Sequence, residues 1–286
     1  MGQTHYFYNM LQVSGLFIYP IKSLGGIALH KAQLTDRGLQ HDRRWMLIDS
    51  NNRFLSQREH AQLALFNCEL GDDSLKVIYT ADDSSVQIPY TPLKADMVNV
   101  TIWDDTCAGQ LVSDEADNWF SQKLGLNCRL VYMPDDTQRQ TDIRYTELGT
   151  VTSFSDAYPA LMIGQAALDD LNSRLADALP MNRFRPNIVF TGGRPYSEDT
   201  MKHIRINGID MFGVKLCARC VMTTIDQHTT QKSKEPLKTL ATYRRKGAKI
   251  LFGQNMVHGK GIISVGDVID VLALHTEERF VIDAVV

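Results

Sequence analysis

The chain has 286 residues, of which 44% are hydrophobic and 22% charged, so it is long enough to bury a substantial core in two domains. A net charge of -3 argues against a general affinity for nucleic acid or an anionic membrane, and no run of about 18 apolar residues predicts a membrane span. The five cysteines are odd in number and scattered, which favours a reducing compartment over a disulfide framework. We therefore expect a cytoplasmic protein that binds neither nucleic acid nor a membrane.

Residues 13 to 132 predict an antiparallel β domain. Short apolar or alternating runs such as LFIYPIK and SLKVIYT are separated by turn sequences such as DRG and SNN. One helix interrupts the strands, because Ser113 can cap a segment that carries Trp119, Phe120 and Leu124 and that Gly125 ends. The strand NCRLVYM follows this helix.

The second half of the chain predicts more strands, with two flanking helices. The polar segment PDDTQRQTD places a domain boundary between residues 1–135 and 136–286. A second helix is predicted to begin at Pro236 and to run through Tyr243. The first is predicted from a leucine stripe that Pro180 ends: Leu168, Leu171, Leu175 and Leu179.

The strands of this half are NIVF, two strands joined by an Asn207-Gly208 hairpin turn, CVMTTID, and GIISVGDVIDVLAL. The predicted fold class is therefore mainly β with α, an α+β arrangement.

Cys217 and Cys220 form a Cys-x-x-Cys pair with several interpretations. A structural zinc site would need four ligands, and no second pair exists. A thioredoxin-like redox pair should open a helix, whereas VMTTI after Cys220 has strand character. Two buried structural cysteines remain the default, although Lys215 and Arg219 supply cations that favour a thiolate.

Three further segments place cations in turns. YPIKS presents Lys22 and Ser23 after a Pro turn, where they can bind a phosphate. In HDRRW, Asp42 can orient the Arg43 guanidinium toward a phosphate or a pterin edge. In NRFRPNI, Arg185 and Asn187 flank a proline. Taken singly, each segment is as well explained by a solvated surface charge.

Taken together, YPIKS, DRRW, FSDAYP, NRFRPNIVF and CARCVMTTID followed by KEPLKTL resemble the MOSC family, in the branch that contains the mitochondrial amidoxime reducing component. The resemblance runs from about residue 12 to residue 272. It implies a β-barrel-like MOSC N-terminal domain followed by a β-barrel MOSC domain with flanking helices.

The resemblance also implies a molybdenum-molybdopterin cofactor whose metal is bound by a single protein cysteine, Cys220 rather than Cys217. A soft thiolate suits a metal that already carries two dithiolene sulfurs. Residues that match the family's cofactor-binding positions, or that flank Cys220 in the same motif, complete the predicted set: Lys22, Ser23, Arg43, Arg185, Asn187, Arg219 and Thr223.

Two segments depart from the family pattern. The family often has Asp-Pro-x-Thr-Gly after the Thr pair, whereas this chain has IDQHTT, so Gln227 and Thr230 change a turn beside the metal. Ala157 and Tyr158 stand where relatives often carry small hydroxyl residues. These departures affect substrate specificity and cofactor contacts rather than the metal ligand.

The expected activity is a two-electron reduction that removes oxygen from a small N-hydroxylated or N-oxide compound, with Asp156 delivering a proton. The electrons must come from an external donor, a ferredoxin-like iron-sulfur protein or a flavin reductase, because the chain has no cluster-binding cysteine spacing and no Gly-x-Gly-x-x-Gly fingerprint. The alternatives are a persulfide-transferring protein and a non-catalytic cofactor carrier. Five cations are candidates for a donor-docking patch: Lys238, Arg244, Arg245, Lys246 and Lys249.

Overall fold

The structure is a computed structural model that describes residues 10–282. Within them it has three α-helices: α1 (Asp114–Leu124), α2 (Gln165–Asn172) and α3 (Leu237–Tyr243). The strands of the first half are β1 (Gln12–Ile18), β2 (Ile27–Leu29), β3 (Lys31–Leu34), β4 (Trp45–Ile48), β5 (Phe66–Leu70), β6 (Ser74–Tyr79), β7 (Ser84–Pro89), β8 (Met97–Ile102), β9 (Asp105–Leu111) and β10 (Arg129–Tyr132). Those of the second half are β11 (Ala160–Gly164), β12 (Ile188–Thr191), β13 (Met201–Ile206), β14 (Ile209–Ala218), β15 (Arg245–Lys246), β16 (Lys249–His258), β17 (Gly261–Ser264) and β18 (Ile269–Leu274). The predicted fold class, mainly β with α, is confirmed.

The largest sheet has nine strands in the order β18-β13-β14-β16-β11-β12-β1-β2, with β15 on β16. A bridge between Gln12 and Val268, together with the bond from Ile269 N to Leu11 O at 2.9 Å, joins β1 to the segment that leads into β18. The sheet therefore curls back on itself around a core that contains Leu16, Phe190 and other buried apolar side chains.

Three loops leave this sheet at one place. β1 is antiparallel to β12, so its last residues lie beside Ile188 at the start of β12. β11 is parallel to β12, so the start of β11 lies there too. The loops that follow β1, precede β11 and precede β12 are therefore neighbours, although more than 130 residues separate Lys22 from Phe154, whose atoms hydrogen-bond.

The remaining strands of the first half form a four-stranded sheet, β4-β10-β9-β8, and a three-stranded sheet, β5-β6-β7. A core that includes Trp45, Phe66 and Phe120 lies between these strands and α1. The domain division after residue 135 stays a prediction. Strand pairing crosses it, since β1 pairs with β12 and β3 pairs with β17.

Two local predictions are confirmed in detail. The Ser113 side chain accepts a hydrogen bond from Ala116 N at 3.2 Å, and Gly125 ends α1 in the left-handed conformation. Asn207 and Gly208 both have positive φ, 48° and 77°, as a two-residue hairpin turn between β13 and β14 requires.

The helix predicted from the leucine stripe is longer than the helix in the structure. α2 ends at Asn172, and Leu175 and Leu179 lie beyond it. The Asn172 amide accepts from Leu179 N at 2.9 Å and donates to Leu179 O at 3.0 Å. These side-chain bonds replace the helical backbone bonds that the stripe implied.

The strand predicted for CVMTTID is also wrong. Val221–Thr224 form a single 3-10 turn that follows the extended Cys220. Thr223 Oγ1 donates to Cys220 O at 3.0 Å and Thr224 Oγ1 donates to Val221 O at 2.7 Å. Hydroxyl groups that bond to the preceding turn compete with strand pairing, which the β-branched composition alone does not reveal.

We expect Ser113→Ala to lower the free energy of unfolding by about 1 kcal/mol, because it leaves the Ala116 N–H of the first turn of α1 without its acceptor. Urea unfolding measures the loss. Ser113→Asp keeps an acceptor at this position and should stay close to wild type, whereas equal losses in both variants would contradict the capping role.

Candidate functional site

A cleft of about 1130 Å³, counting the space open to solvent at its mouth, lies where the three neighbouring loops meet the end of β14. All nine predicted site residues line it, although they come from five separate segments of the sequence. These residues are Lys22, Ser23, Arg43, Asp156, Arg185, Asn187, Arg219, Cys220 and Thr223.

The lining of the cleft is strongly cationic. Seven Lys and Arg side chains line it and Asp156 is its one carboxylate: the cations are Lys22, Arg43, Arg183, Arg185, Lys215, Arg219 and Lys249. Among residues 10–282, two further carboxylates pair with the lining cations, Asp42 with Arg43 and Asp226 with Arg183. The cleft therefore keeps an excess of positive charge in a concave, partly buried space, which attracts an anion.

Two of the lining cations, Arg43 and Arg185, pack against the ring of Tyr19. The guanidinium carbons of Arg43 and Arg185 lie 4.2 and 4.1 Å from the centre of its ring. The buried Asp42 accepts from Tyr19 N at 2.8 Å and from Arg43 Nη1 at 2.7 Å. Asp42 thus orients Arg43 as the sequence suggested. Burial raises the pKa of the Asp42 carboxyl, and the charge of Arg43 opposes this increase.

The Arg185 guanidinium donates no hydrogen bond to any residue in the described range, although Arg185 is only 8% exposed. Burial lowers its pKa to about 10, which leaves it charged at neutral pH. A buried guanidinium that lines a cleft without an acidic partner is a receptor for an external anion.

Lys22 and Asp156 form an ion pair at the wall of the cleft. Lys22 Nζ donates to Asp156 Oδ1 at 2.6 Å and to Phe154 O at 2.8 Å. Burial lowers the pKa of Lys22 to about 8, although Asp156 opposes the shift. Burial acts to raise the pKa of Asp156, but Lys22 and Arg58 outweigh it and hold that pKa well below its usual range. At neutral pH, Asp156 is therefore ionised, and Lys22 is the better proton donor of the two.

Three lining residues have left-handed backbone conformations: Ser23, Arg43 and Arg185, with φ of 70°, 49° and 55°. Each such non-glycine residue costs on the order of 1–3 kcal/mol and persists where surrounding contacts enforce it. For Arg43 those contacts include the bond from its N–H to Tyr19 O at 3.0 Å. The backbone is therefore strained at the positions whose side chains line the cleft.

Asn187 contributes to the scaffold. Its amide accepts from Leu161 N at 3.2 Å and donates to Phe17 O at 3.1 Å. The side chain therefore ties β11 to β1 through its amide oxygen and its amide nitrogen.

The two cysteines have different surroundings. Cys217 Sγ accepts from Arg219 Nη1 at 2.9 Å, and burial raises its pKa, against the opposing effect of Arg219. Cys220 Sγ accepts from Arg58 Nε at 3.3 Å. The Lys215 Nζ lies 4.1 Å from the ring centre of Tyr145. The cation at Cys220 is thus Arg58, 162 residues away, which sequence spacing could not identify.

The turn that departs from the family pattern is linked through Gln57 to the loop that carries Ser23. Gln227 Nε2 donates to Gln57 Oε1 at 3.0 Å, and Gln57 Nε2 donates to Ser23 O at 2.6 Å. Tyr158, in the other departing segment, is buried and its hydroxyl has no partner within residues 10–282. Tyr158 therefore lines the cleft itself, and Gln227 is connected to the lining residue Ser23 through Gln57.

One of the five cations predicted to form the donor-docking patch, Arg244, is buried and does not lie on the surface. Arg244 is 5% exposed and its Nη2 donates to the buried Asp199 Oδ2 at 2.6 Å, because that carboxylate needs a partner inside the fold. Lys246 Nζ is held by the carbonyls of Glu278 and Val281. Exposed cations remain at Lys238, Arg245 and Lys249.

In the part of the chain that the structure describes, no helix is both long and apolar enough to cross a membrane. The same residues contain no group of three or more His, Cys, Asp or Glu side chains that could hold a metal ion. The cytoplasmic location stays a prediction.

Comparison with known proteins places these features in a family. The family model described as "MOSC N-terminal beta barrel domain" matches residues 10–127, and the one described as "MOSC domain" matches residues 149–270. The chain is 32% identical to mitochondrial amidoxime-reducing component 1 of Mus musculus, over 89% of this chain and 80% of that protein. It is 33% identical to mitochondrial amidoxime reducing component 2 of Bos taurus, over 81% and 72%.

A third relative is the molybdenum cofactor sulfurase of Oryza sativa subsp. japonica, 34% identical over 85% of this chain but only 32% of that protein, so the chain spans about a third of its length. Together, the two matching domains and the relatives that align over most of their length establish membership: the chain belongs to the MOSC family, with a MOSC N-terminal domain followed by a MOSC domain.

Proposed function

We propose that this protein binds a molybdenum-molybdopterin cofactor through Cys220 and reduces N-hydroxylated or N-oxide compounds with electrons from an external donor. The reaction consumes the substrate, two electrons and two protons, and yields the deoxygenated compound and water. The observation that carries the proposal is that the thiol of Cys220 lines the same cleft as a group of cations suited to bind an anion.

The cation end of the cleft fits the phosphate of such a cofactor. Arg185 has free donors there, and Arg43 and Lys22 line the same space. Hydrogen bonds from charged donors to a phosphate each contribute about 1.5–3 kcal/mol, so three of them would hold the cofactor firmly. Ser23, on the same loop as Lys22, adds a hydroxyl group to this end.

The thiol end fits the metal. Thr223 fixes the Cys220 carbonyl through its N–H at 3.1 Å and its hydroxyl at 3.0 Å, which holds the backbone of the ligand in place. Arg219 also stabilises this region, since its Nη2 donates to Phe184 O at 2.7 Å. The molybdenum, when bound, supplies the two-electron redox chemistry at the nitrogen–oxygen bond, and the protein supplies position and charge.

The chain's own contribution to proton transfer is best assigned to the Lys22–Asp156 pair. A proton donor works best when its pKa lies near the working pH, which fits Lys22 at about 8. Asp156 keeps the ammonium in place, and after transfer the Lys22 amine takes a new proton from solvent, which the adjacent carboxylate favours electrostatically. This reverses the sequence-based proposal, in which Asp156 itself delivered the proton.

Sulfur transfer is the second candidate function, because one relative is named a molybdenum cofactor sulfurase. In that function Cys220 would carry a persulfide. A carrier that hands over the cofactor without turnover is the third. Molybdenum and pterin content separates the reductase from persulfide transfer, and turnover with a reduced low-potential dye as donor separates it from the carrier.

We expect Cys220→Ser to abolish reductase activity and most bound molybdenum, while Cys217→Ser retains most of both, because the Cys217 thiol is bonded to Arg219 and its pKa is raised by burial. Elemental analysis and dye-driven turnover of both variants provide the measurement. Equal metal loss in the two would point to a dithiol site instead.

Arg185→Gln should weaken cofactor retention by about tenfold to a hundredfold with little loss of stability, because the guanidinium makes no hydrogen bond within residues 10–282. Arg43→Gln should weaken cofactor retention similarly but also destabilise the fold, since it leaves the buried Asp42 carboxylate without its cationic partner. Adding Asp42→Asn to Arg43→Gln should restore the melting temperature without restoring retention. If Arg185→Gln unfolds the protein or retains the cofactor fully, the assignment is wrong.

Anion binding should weaken as pH rises above about 8, because Lys22 loses its positive charge as the pH passes its pKa while Asp156 stays negative. Calorimetric titration of cofactor-free protein with inorganic phosphate between pH 7.5 and 9.5 measures this. Bound phosphate favours the charged ammonium, so the decline begins above the pKa of the free site. Lys22→Arg stays charged throughout and should remove the decline, whereas an unchanged pH profile would exclude Lys22 as the titrating group.

A further inference from the structure

Trp103 occupies an unusual place beside the cleft. It lies in the two-residue turn between β8 and β9, with φ of 55°, at a position where a hairpin turn favours glycine. A bulky aromatic residue there is strained, and the ring is not buried in compensation, since the residue is 40% exposed. Strain of this kind at a site edge points to a role in function.

The indole contacts two residues that are linked to the proposed site, Arg58 and Asp156. Arg58, which donates to Cys220 Sγ at 3.3 Å, has its guanidinium carbon 4.0 Å from the ring centre. The indole Nε1 donates to Asp156 Oδ1 at 3.3 Å. Adding one C–N bond of about 1.3 Å to the Cys220–Arg58 and Arg58–Trp103 distances puts the ring centre within about 9 Å of the sulfur.

The orientation of the ring is fixed by its neighbours. Phe54, which is buried, packs edge-on against it with ring centres 4.8 Å apart, and Arg58 stacks against it. The rest of the indole stays exposed. An oriented, partly exposed aromatic surface at this distance from the metal ligand is suited to stack a flat group of a molecule that reacts there.

We infer that Trp103 is a specificity-determining residue that stacks against the planar part of the substrate, so that N-hydroxylated groups conjugated to an aromatic ring are preferred over saturated ones. This inference rests on the proposed reductase function. Arg58 positions the indole and links it to Cys220, and Asp156 accepts a hydrogen bond from the indole Nε1.

The test compares benzamidoxime with its saturated analogue cyclohexanecarboxamidoxime, under dye-driven turnover of the holoenzyme. Aromatic stacking is worth about a twofold to tenfold change in affinity. Trp103→Gly should therefore raise the KM for benzamidoxime by that factor with kcat little changed, and leave the KM for the saturated compound within about twofold. Trp103→Phe should fall between wild type and Trp103→Gly for benzamidoxime.

Two controls separate recognition from a structural effect. Trp103→Gly also relieves the left-handed backbone, so its melting temperature should stay within a few degrees of wild type and its molybdenum content should be unchanged. Asp83→Gly relieves a comparable turn, φ 57°, between β6 and β7 and should change neither KM. Loss of metal in Trp103→Gly, or equal changes in KM for both compounds, would overturn the inference.

A binding measurement distinguishes this inference from the function on which it rests. Benzamide has no N–O bond to be reduced, and its planar ring should stack on Trp103 and quench the tryptophan fluorescence of the wild-type protein. Benzamide should not cause this quenching in Trp103→Phe. Cyclohexanecarboxamide should not cause it in the wild-type protein. If the holoenzyme reduces neither amidoxime, the proposed reductase function fails, yet this difference in quenching still supports the stacking surface. If benzamide and cyclohexanecarboxamide quench alike, the stacking surface is refuted whatever the enzyme reduces.

Discussion

Pairing of β1 with β12, beside the parallel pair β11–β12, is the constraint on which the site depends. It brings together three loops that carry Lys22, Asp156 and Arg185, residues that are remote in sequence. Asn187 reinforces the arrangement, because its amide bonds to the backbone of both β1 and β11. A scaffold of strands fixes such loops more closely than loop contacts alone can, which suits the proposed cofactor site, whose residues come from several loops.

The electrostatics follow from that convergence. Loops that bring seven cations together would repel one another unless some of the charge were compensated, and three carboxylates do this: Asp42, Asp156 and Asp226. Among the described residues, Arg185 is one of the lining cations without such a partner, so positive charge stays uncompensated where an external anion can reach it. The same logic explains the lowered pKa of Lys22, since burial among cations disfavours its charged form more than Asp156 restores it. Charge compensation and anion binding are thus two consequences of one packing arrangement.

Sequence patterns predicted local features whose cause is also local. The cap at Ser113, the left-handed Gly125 and the Asn207-Gly208 turn each depend on one or two residues, and all three are confirmed. The failures have long-range or side-chain causes. The sequence predicted Arg244 to be a surface cation, but it is buried because its guanidinium pairs with the buried Asp199.

The candidate site shows the same division. Motifs identified every residue of the predicted set, and all of them line the cleft. Arg58 and Trp103 escaped notice because neither belongs to a motif, and their proximity to Cys220 arises from the packing of the β8–β9 hairpin and the loop before β5 against the MOSC domain. Positive φ at Ser23, Arg43, Trp103 and Arg185 is likewise invisible in sequence, since none of these residue types favours it. Local rules therefore fail where function requires a side chain to be held in a strained place.

The contact between Arg58 and Cys220 bears on the choice between reductase and sulfur transfer. A persulfide must be reached by an acceptor, so a sulfur-carrying cysteine needs an approach path for a second molecule's thiol or metal centre. Here the Arg58 guanidinium occupies one side of the sulfur, the Trp103 indole stacks on that guanidinium, and Cys220 lines the cationic cleft. That geometry favours a resident ligand in the cleft that stays bound to Cys220 while small molecules exchange beside it. A metal-bound thiolate used in turnover fits this enclosure better than a sulfur that must be passed on.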